Sequence, residues 1–317
     1  MSRDIYQQIW NSDLHKLLVS PRNSQGQWID SDADILLDEQ IAAFGRSDLD
    51  LATKPLFYRV NEDKLATAST YISFIKLLNN YYFDNKKSEV KTRSEQIEIE
   101  QFIDRVLATE VMAITRNYLK DRLNLQLSAT DFAVNLKKIW FDSYTNYFGD
   151  FALQDASGFE HIFVGEGKYH QERKTSNRII GGISGYHSWL KFYLDEQEQK
   201  VNYLGHNYNL QGDIGINNPY VVTVQMLWQE KQGDRIIELF KKKGCFFVGT
   251  SPECEMAMGT VAYYESLNNY KFDGEKRRTT INGAIYDLVL YRNIEADGSR
   301  GNYIRSFYPI FIGFDKG

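Results

Sequence analysis

The periodicity of apolar residues changes once along this chain of 317 residues, near Phe151, and that change restricts the fold more than any other feature. Before it, apolar side chains recur at the spacing of a helix face. Tyr71, Phe74 and Leu78 mark a helix over residues 65–82, and Ile97, Ile99, Phe102, Val106, Ala108 and Met112 mark a long one over 94–123 that starts at Ser94. A third runs near 130–144, and the polar run 85–91 is the loop before the long helix. After Phe151 the chain becomes glycine-punctuated, aromatic and β-branched, as strands are. In residues 158–166 (GFEHIFVGE), alternation puts Phe159, His161 and Phe163 on one face and Glu160, Ile162 and Val164 on the other. Further strands are predicted at 218–228, 245–249, 284–292 and 303–314, and helices at 184–199, with a serine cap, and at 234–243, stopped by Gly244. The segment opened by Ser251, Pro252 and Glu253 reads equally as helix or strand. This segregation implies an α+β protein, with a helical region over 1–150 packed on a region of antiparallel sheets and short helices over 151–317.

Composition narrows the function classes. With 43% hydrophobic and 14% aromatic residues the chain can bury one large core or two moderate ones. Its apolar stretches fall far short of the ~20 residues of a membrane span. Residues 1–10 are too polar for a signal peptide, so a soluble cytoplasmic protein with no membrane partner is expected. Cys245 and Cys254 form neither a disulfide framework nor a CxxC metal site and are expected to be buried small hydrophobes. A net charge of −5 disfavours a protein that coats nucleic acid by charge alone, but it leaves room for a nuclease. Two basic clusters, 241–243 and 276–278, lie in the second half.

Residues 157–166 (SGFEHIFVGE) and 184–197 (SGYHSWLKFYLDEQ) resemble the EndoU (XendoU) family of uridylate-specific endoribonucleases. So do LLNNYYFD (77–84), FIDRVLATEVM (102–112), LKKIWFDSY (136–144), GTSPECEMAMGT (249–260) and SFYP (306–309), in one consistent order along nearly the whole chain. The resemblance implies cleavage of single-stranded RNA 3′ of uridines by attack of the 2′-hydroxyl, leaving 2′,3′-cyclic phosphate and 5′-hydroxyl ends. It implies that the catalytic histidines are His161 and His187, that the catalytic lysine is Lys241, and that Tyr308 recognises the base. Ser306, in the same SFYP segment, and Cys245, where the family often has serine, are the other implied substrate contacts. Glu160 and Glu166 flank His161 and imply a loose site for Mn²⁺ or Ca²⁺ as a modulator, with no organic cofactor. The histidines are 26 residues apart, longer than is usual, because residues 168–182 look like an insertion that lengthens a hairpin.

The same residue types suit the reaction on chemical grounds. Cleaving RNA through its own 2′-hydroxyl needs a base for that proton, an acid for the departing 5′-oxygen, and a cation facing the phosphorane oxygens. His187, expected in the first turn of its helix, would be kept neutral by the positive end of the dipole, which suits a base. His161 is then the candidate acid, and the two roles can also be exchanged.

Each residue also has a plainer reading. A single histidine is structural by default; His15 and His206 have no matched context, and His170 sits in the insertion, solvated. Lysines ending a helix are ordinary dipole complements, and Lys242 is an alternative register for Lys241. Tyr308, one of 21 tyrosines, reads as a core aromatic, and Glu160 and Glu166 as an exposed strand and turn. A metallohydrolase built on His161, Glu166, His170 and His187 would be a different enzyme class, and the spacing matches no HExxH helix. A non-catalytic RNA-binding module on the same fold is the second functional reading.

Overall fold

Side-chain caps mark the starts of three of the N-terminal helices. The computed structural model describes residues 4–40, 50–149, 151–171, 177–205 and 220–315. Asp4 accepts a hydrogen bond from the Tyr6 amide and starts α1 (Ile5–Ser12). A small sheet follows, β1 (Val19–Ser20), β2 (Ile35–Leu37) and β3 (Phe57–Val60). The helix predicted over 65–82 is two, α2 (Glu62–Thr67) and α3 (Ser69–Leu77), separated by an extended Ala68. The one predicted over 94–123 is also two, α4 (Arg93–Leu107) and α5 (Glu110–Leu123), with an extended Thr109 between them. An apolar stripe survives such a break, so periodicity alone does not reveal it. The start of α4 is set by a reciprocal capping box between Thr92 and Glu95, not by Ser94. Ser128 caps α6 (Ala129–Phe141).

The change of texture at Phe151 coincides with the first residue of β5 (Phe151–Ala156), which pairs with β4 (Tyr144–Phe148). Next comes a departure from the sequence reading: Glu160–Val164 is a π-helical turn, not a strand. All five of its side chains are buried, so their alternation encoded no exposed and buried face. Gly165, at φ +85°, ends the turn, its amide donating to the Glu160 carbonyl.

The second half of the chain is organised by a five-stranded sheet. Its strands are β6 (Glu166–Gln171), β7 (Arg178–Ser184), β8 (Val201–Gly205), β9 (Tyr220–Gln232) and β10 (Arg235–Val248), in the order β6-β7-β10-β9-β8, with α7 (Trp189–Gln197) between β7 and β8. It is antiparallel except where β10 runs parallel to β7. The helix predicted over 234–243 is the first part of β10: Ile236, Ile237, Leu239 and Phe240 fit a helical face, but pairing with β9 on one side and β7 on the other prevails. The serine that caps α7 is Ser188; Ser184 ends β7. Ser251 caps α8 (Pro252–Leu267) with Pro252 in its first turn, which settles that segment as a helix. The C-terminal sheet is β11 (Lys276–Ile281), β12 (Ala284–Ile294) and β13 (Arg300–Phe314). Buried side chains from α1 to β13 join in one main apolar cluster, with α8 covered along almost its whole length, and Tyr144, Leu153 and Ala156 of the β4–β5 hairpin form a small separate one. Among the described residues, no helix is long and apolar enough to cross a membrane. Residues 218 and 219, predicted to open a strand, and His206 lie outside the described residues.

Candidate active site

The two histidine segments are joined by main-chain hydrogen bonds. The Tyr186 amide donates to the His161 carbonyl at 2.9 Å, and the His187 amide to the Ile162 carbonyl at 2.6 Å. Two glycines make that approach possible. A Cβ on Gly185, at φ +64°, would lie 1.7 Å from the His161 carbonyl oxygen, and one on Gly165 would lie 2.7 Å from the Tyr186 Cβ. His187 therefore sits just before the Ser188 cap rather than in the first helical turn, and His161 sits on the π turn rather than on a strand.

Lys241 arrives from β10 at a β-bulge. Its register with β9 shifts between Lys241 and Gly244, and the extra residue aims the side chain at the histidines. Lys241 Nζ donates to the Gly185 carbonyl at 2.6 Å, while its stem lies over Gly244, where an added Cβ would be 2.9 Å from Cε. A second bulge shapes the opposite wall. Tyr291 pairs with Ser306 but Arg292 pairs with Ile304, so Arg305 and Ser306, adjacent in sequence, both reach the cleft.

His161, His187, Lys241, Cys245, Ser306 and Tyr308 all line one cleft of about 580 Å³. Its described lining contains Lys168, Lys241, Lys243, Arg292, Arg300 and Arg305 but no carboxylate, in a chain whose net charge is −5. The site is thus a local concentration of positive charge suited to a polyanion.

The imidazoles are held as neutral donors and acceptors. His187 Nδ1 lies 2.8 Å from the Cys245 carbonyl, which can only accept, so Nδ1 carries the proton and Nε2 keeps its lone pair. Burial, then the charge of Lys241, pushes the His187 pKa well below the ordinary histidine value. The Tyr308 ring stacks on the His187 ring at 4.5 Å between centroids, 14° from parallel. Burial and the nearby Arg305 guanidinium lower His161 to about 4. Its Nδ1 is 3.0 Å from Glu166 Oε1, off the hydrogen-bond axis. Burial brings Lys241 down to about 8, so it is still mainly cationic at neutral pH.

Glu160 and Glu166 are buried, not exposed, and they do not fit a divalent-ion site. Arg305 takes both Glu166 oxygens, at 2.6 and 3.0 Å. Burial opposes ionisation of Glu166, but its cationic neighbours outweigh it; at neutral pH, with His161 uncharged, that is Arg305, and the carboxyl stays well below the usual range. Burial, then Glu166, drives the Glu160 carboxyl far upward, and Glu160 is absent from the cleft lining. Mn²⁺ and Ca²⁺ favour six or more oxygen ligands, whereas no group of three metal-binding side chains occurs among the described residues. Cys245 and Cys254 are buried free thiols. The Cys245 sulfur is 3.2 Å from the Thr223 hydroxyl, and the residue's backbone carbonyl, rather than its side chain, orients His187. His15 pairs with Glu253 at 2.5 Å, and His170 is exposed.

Sequence reading missed Arg305, although it precedes the SFYP segment. Strand alternation would turn it away from Ser306, and only the bulge places both in the cleft.

Comparison with known proteins gives a consistent result. Residues 3–309 match the family described as Endoribonuclease XendoU. The chain is 32% identical to poly(U)-specific endoribonuclease-A of Xenopus laevis over 83% of its own length and 80% of that protein. It is 29% identical to poly(U)-specific endoribonuclease-B of the same species (97% and 92%). With uridylate-specific endoribonuclease B of Danio rerio it shares 30% identity (98% and 95%). A solved structure described as XendoU, a splicing-independent snoRNA-processing endoribonuclease, superposes with a TM-score of 0.66 at 26% identity, over 98% of this chain and 96% of that one.

Proposed function

The chain belongs to the XendoU family of endoribonucleases, and from that premise we propose that it cuts single-stranded RNA 3′ of uridines with His161, His187 and Lys241. The observation that carries this reading is the convergence of those three side chains in one cation-lined cleft without carboxylates among its described lining. His187 Nε2 takes the proton of the 2′-hydroxyl, whose oxygen attacks phosphorus. The P–O5′ bond breaks as His161 donates a proton to the leaving oxygen. Lys241 faces the charge that builds on the phosphorane oxygens. The products are a 2′,3′-cyclic phosphate and a 5′-hydroxyl. His161, neutral in the empty cleft at pH 7, gains its proton as the phosphodiester brings negative charge beside it. Tyr308 and Ser306 form the wall against which uracil is held, Tyr308 also bracing His187.

The test is an RNA oligonucleotide with one uridine among adenosines. We expect one cut, directly 3′ of the uridine, with cyclic phosphate and 5′-hydroxyl ends identified by mass spectrometry. Because the chemistry rests on the protein's own side chains, with Mn²⁺ or Ca²⁺ as modulators at most, EDTA should leave at least part of the rate. Complete loss in EDTA, restored only by Zn²⁺, would favour a metallohydrolase, and binding without cutting would favour a non-catalytic module.

Lys241 supplies a second expectation. Its ammonium is charged below about 8 and is lost as the pH rises through that value. Affinity for uridine 3′-phosphate, fully ionised above about pH 7, should therefore fall up to about tenfold between about pH 7 and pH 9. Titration calorimetry of Lys241→Arg should show a flat profile there; an unchanged slope would remove Lys241 from phosphate binding.

A further inference from the structure

A second cavity, of about 420 Å³, adjoins the catalytic cleft and shares Phe148, Lys168 and Arg305 with it. Its outer wall is the β4–β5 hairpin, where Phe148 and Phe151 pair across the strands. Their rings are 6.3 Å apart and 28° from parallel, yet they are 46% and 58% exposed. The two phenylalanines contact each other across the strands, and about half of each is still open to solvent. Lys86 and Lys168 are among the other lining residues, and no carboxylate is among those described. Open aromatic faces beside cations are the arrangement by which proteins hold unpaired bases, stacking the base while the cation follows the backbone.

The position of this cavity gives it a side. His187 and Tyr308 lie at one part of the cleft, and Arg305, which clamps Glu166 beside His161, lies where the two cavities meet. If His161 protonates the 5′-oxygen, the nucleotide carrying that oxygen leaves on this side. Resting on the reaction proposed above, we propose that the Phe148–Phe151 hairpin face is a stacking subsite for the base immediately 3′ of the cleaved phosphate, with Lys168 beside that nucleotide's backbone. The cleft then recognises a uridine and its 3′ neighbour together, the first by the Tyr308 wall and the second by stacking that tolerates any base.

The experiment compares single-uridine oligonucleotides in which the residue 3′ of the uridine is either adenosine or an abasic ribose, with the abasic ribose placed 5′ of the uridine as a control. Wild-type kcat/KM should drop about 5-fold to 100-fold for the 3′ abasic substrate. In Phe151→Ala the penalty for removing that base should shrink towards none, and Phe151→Trp should restore it. Equal wild-type rates on the adenosine and 3′ abasic substrates would overturn the proposal, as would a larger penalty from the 5′ abasic ribose or an undiminished penalty in Phe151→Ala. Should Phe151→Ala fail to fold, the wild-type comparison decides alone. Failure of the underlying reaction is distinguishable, since the unmodified oligonucleotide would then not be cut at its uridine.

Discussion

An oligonucleotide whose single uridine is replaced by 2′-deoxyuridine is expected to bind this protein and survive. The cleft offers two imidazoles and an ammonium but, among its described lining, no carboxylate cluster to activate water through paired metal ions. The thiol it does contain, Cys245, is pushed upward in pKa by burial and sits against the Thr223 hydroxyl, which makes it a poor nucleophile. In the proposed reaction the nucleophile is the substrate's own 2′-hydroxyl, the feature that distinguishes RNA from DNA at a given site. Removing that one oxygen leaves the uracil face, the phosphate and the 3′ neighbour intact, so affinity should change little while cleavage falls below detection. Cutting of the deoxy substrate at a comparable rate would sink the mechanism, whatever any protein variant showed. Persistent binding, measured by fluorescence anisotropy, separates a chemical block from a failure to engage.

Replacing either His161 or His187 with alanine is expected to lower kcat by a factor on the order of 10² or more, the usual size of a lost general acid or base. The two variants should differ in character. His187 is stacked under Tyr308 and donates to the Cys245 carbonyl, so His187→Ala also loosens the uracil wall and should raise KM. In the proposed reaction His161, beside Glu166 and Arg305, is the acid, so His161→Ala should spare KM and be partly relieved on a substrate whose leaving group needs no proton, such as a uridine 3′-nitrophenyl phosphodiester. Both side chains are buried, so circular dichroism and the thermal midpoint must first show that each variant is folded. A folded variant with near-normal turnover would remove that histidine from the chemistry. Equal response of the two variants to the activated leaving group would remove the division of roles.

The arrangement at Arg305 explains how a nominally acidic chain sustains this cleft. Removing one partner from a buried ion pair leaves an uncompensated charge, which is more costly than the pair itself is stabilising. Glu166 and Arg305 neutralise each other beside His161, so the imidazole is positioned without a net negative neighbour that would repel RNA.

Much of this protein was legible before its structure. The change from helical to strand periodicity near Phe151 reports which residues must be hidden from water, and it placed the α+β architecture, β12, β13 and the end of β10, while α8 was left open between helix and strand and β11 was not predicted. The motifs SGFEHIFVGE, SGYHSWLKFYLDEQ and SFYP identified His161, His187, Ser306 and Tyr308, the family resemblance added Lys241 and Cys245, and all six share one cleft. What the sequence did not reveal depends on partners distant along the chain. The segment 234–243 has a helical pattern of apolar residues yet is a strand, because β7 and β9 supply hydrogen bonds that a pattern of side chains does not encode. His161 alternates as if on a strand but sits in a π turn, since a segment buried on every side carries no periodicity of exposure. Lys241 and Arg305 reach the site only through bulges, one-residue slips set by pairing across strands. The depressed pKa values of the histidines were also decided by tertiary packing, because burial and the fields of Lys241 and Arg305 exist only once the chain is folded. Residue identities determined which chemistry was available, and long-range pairing determined the distances and dielectric at which it can operate.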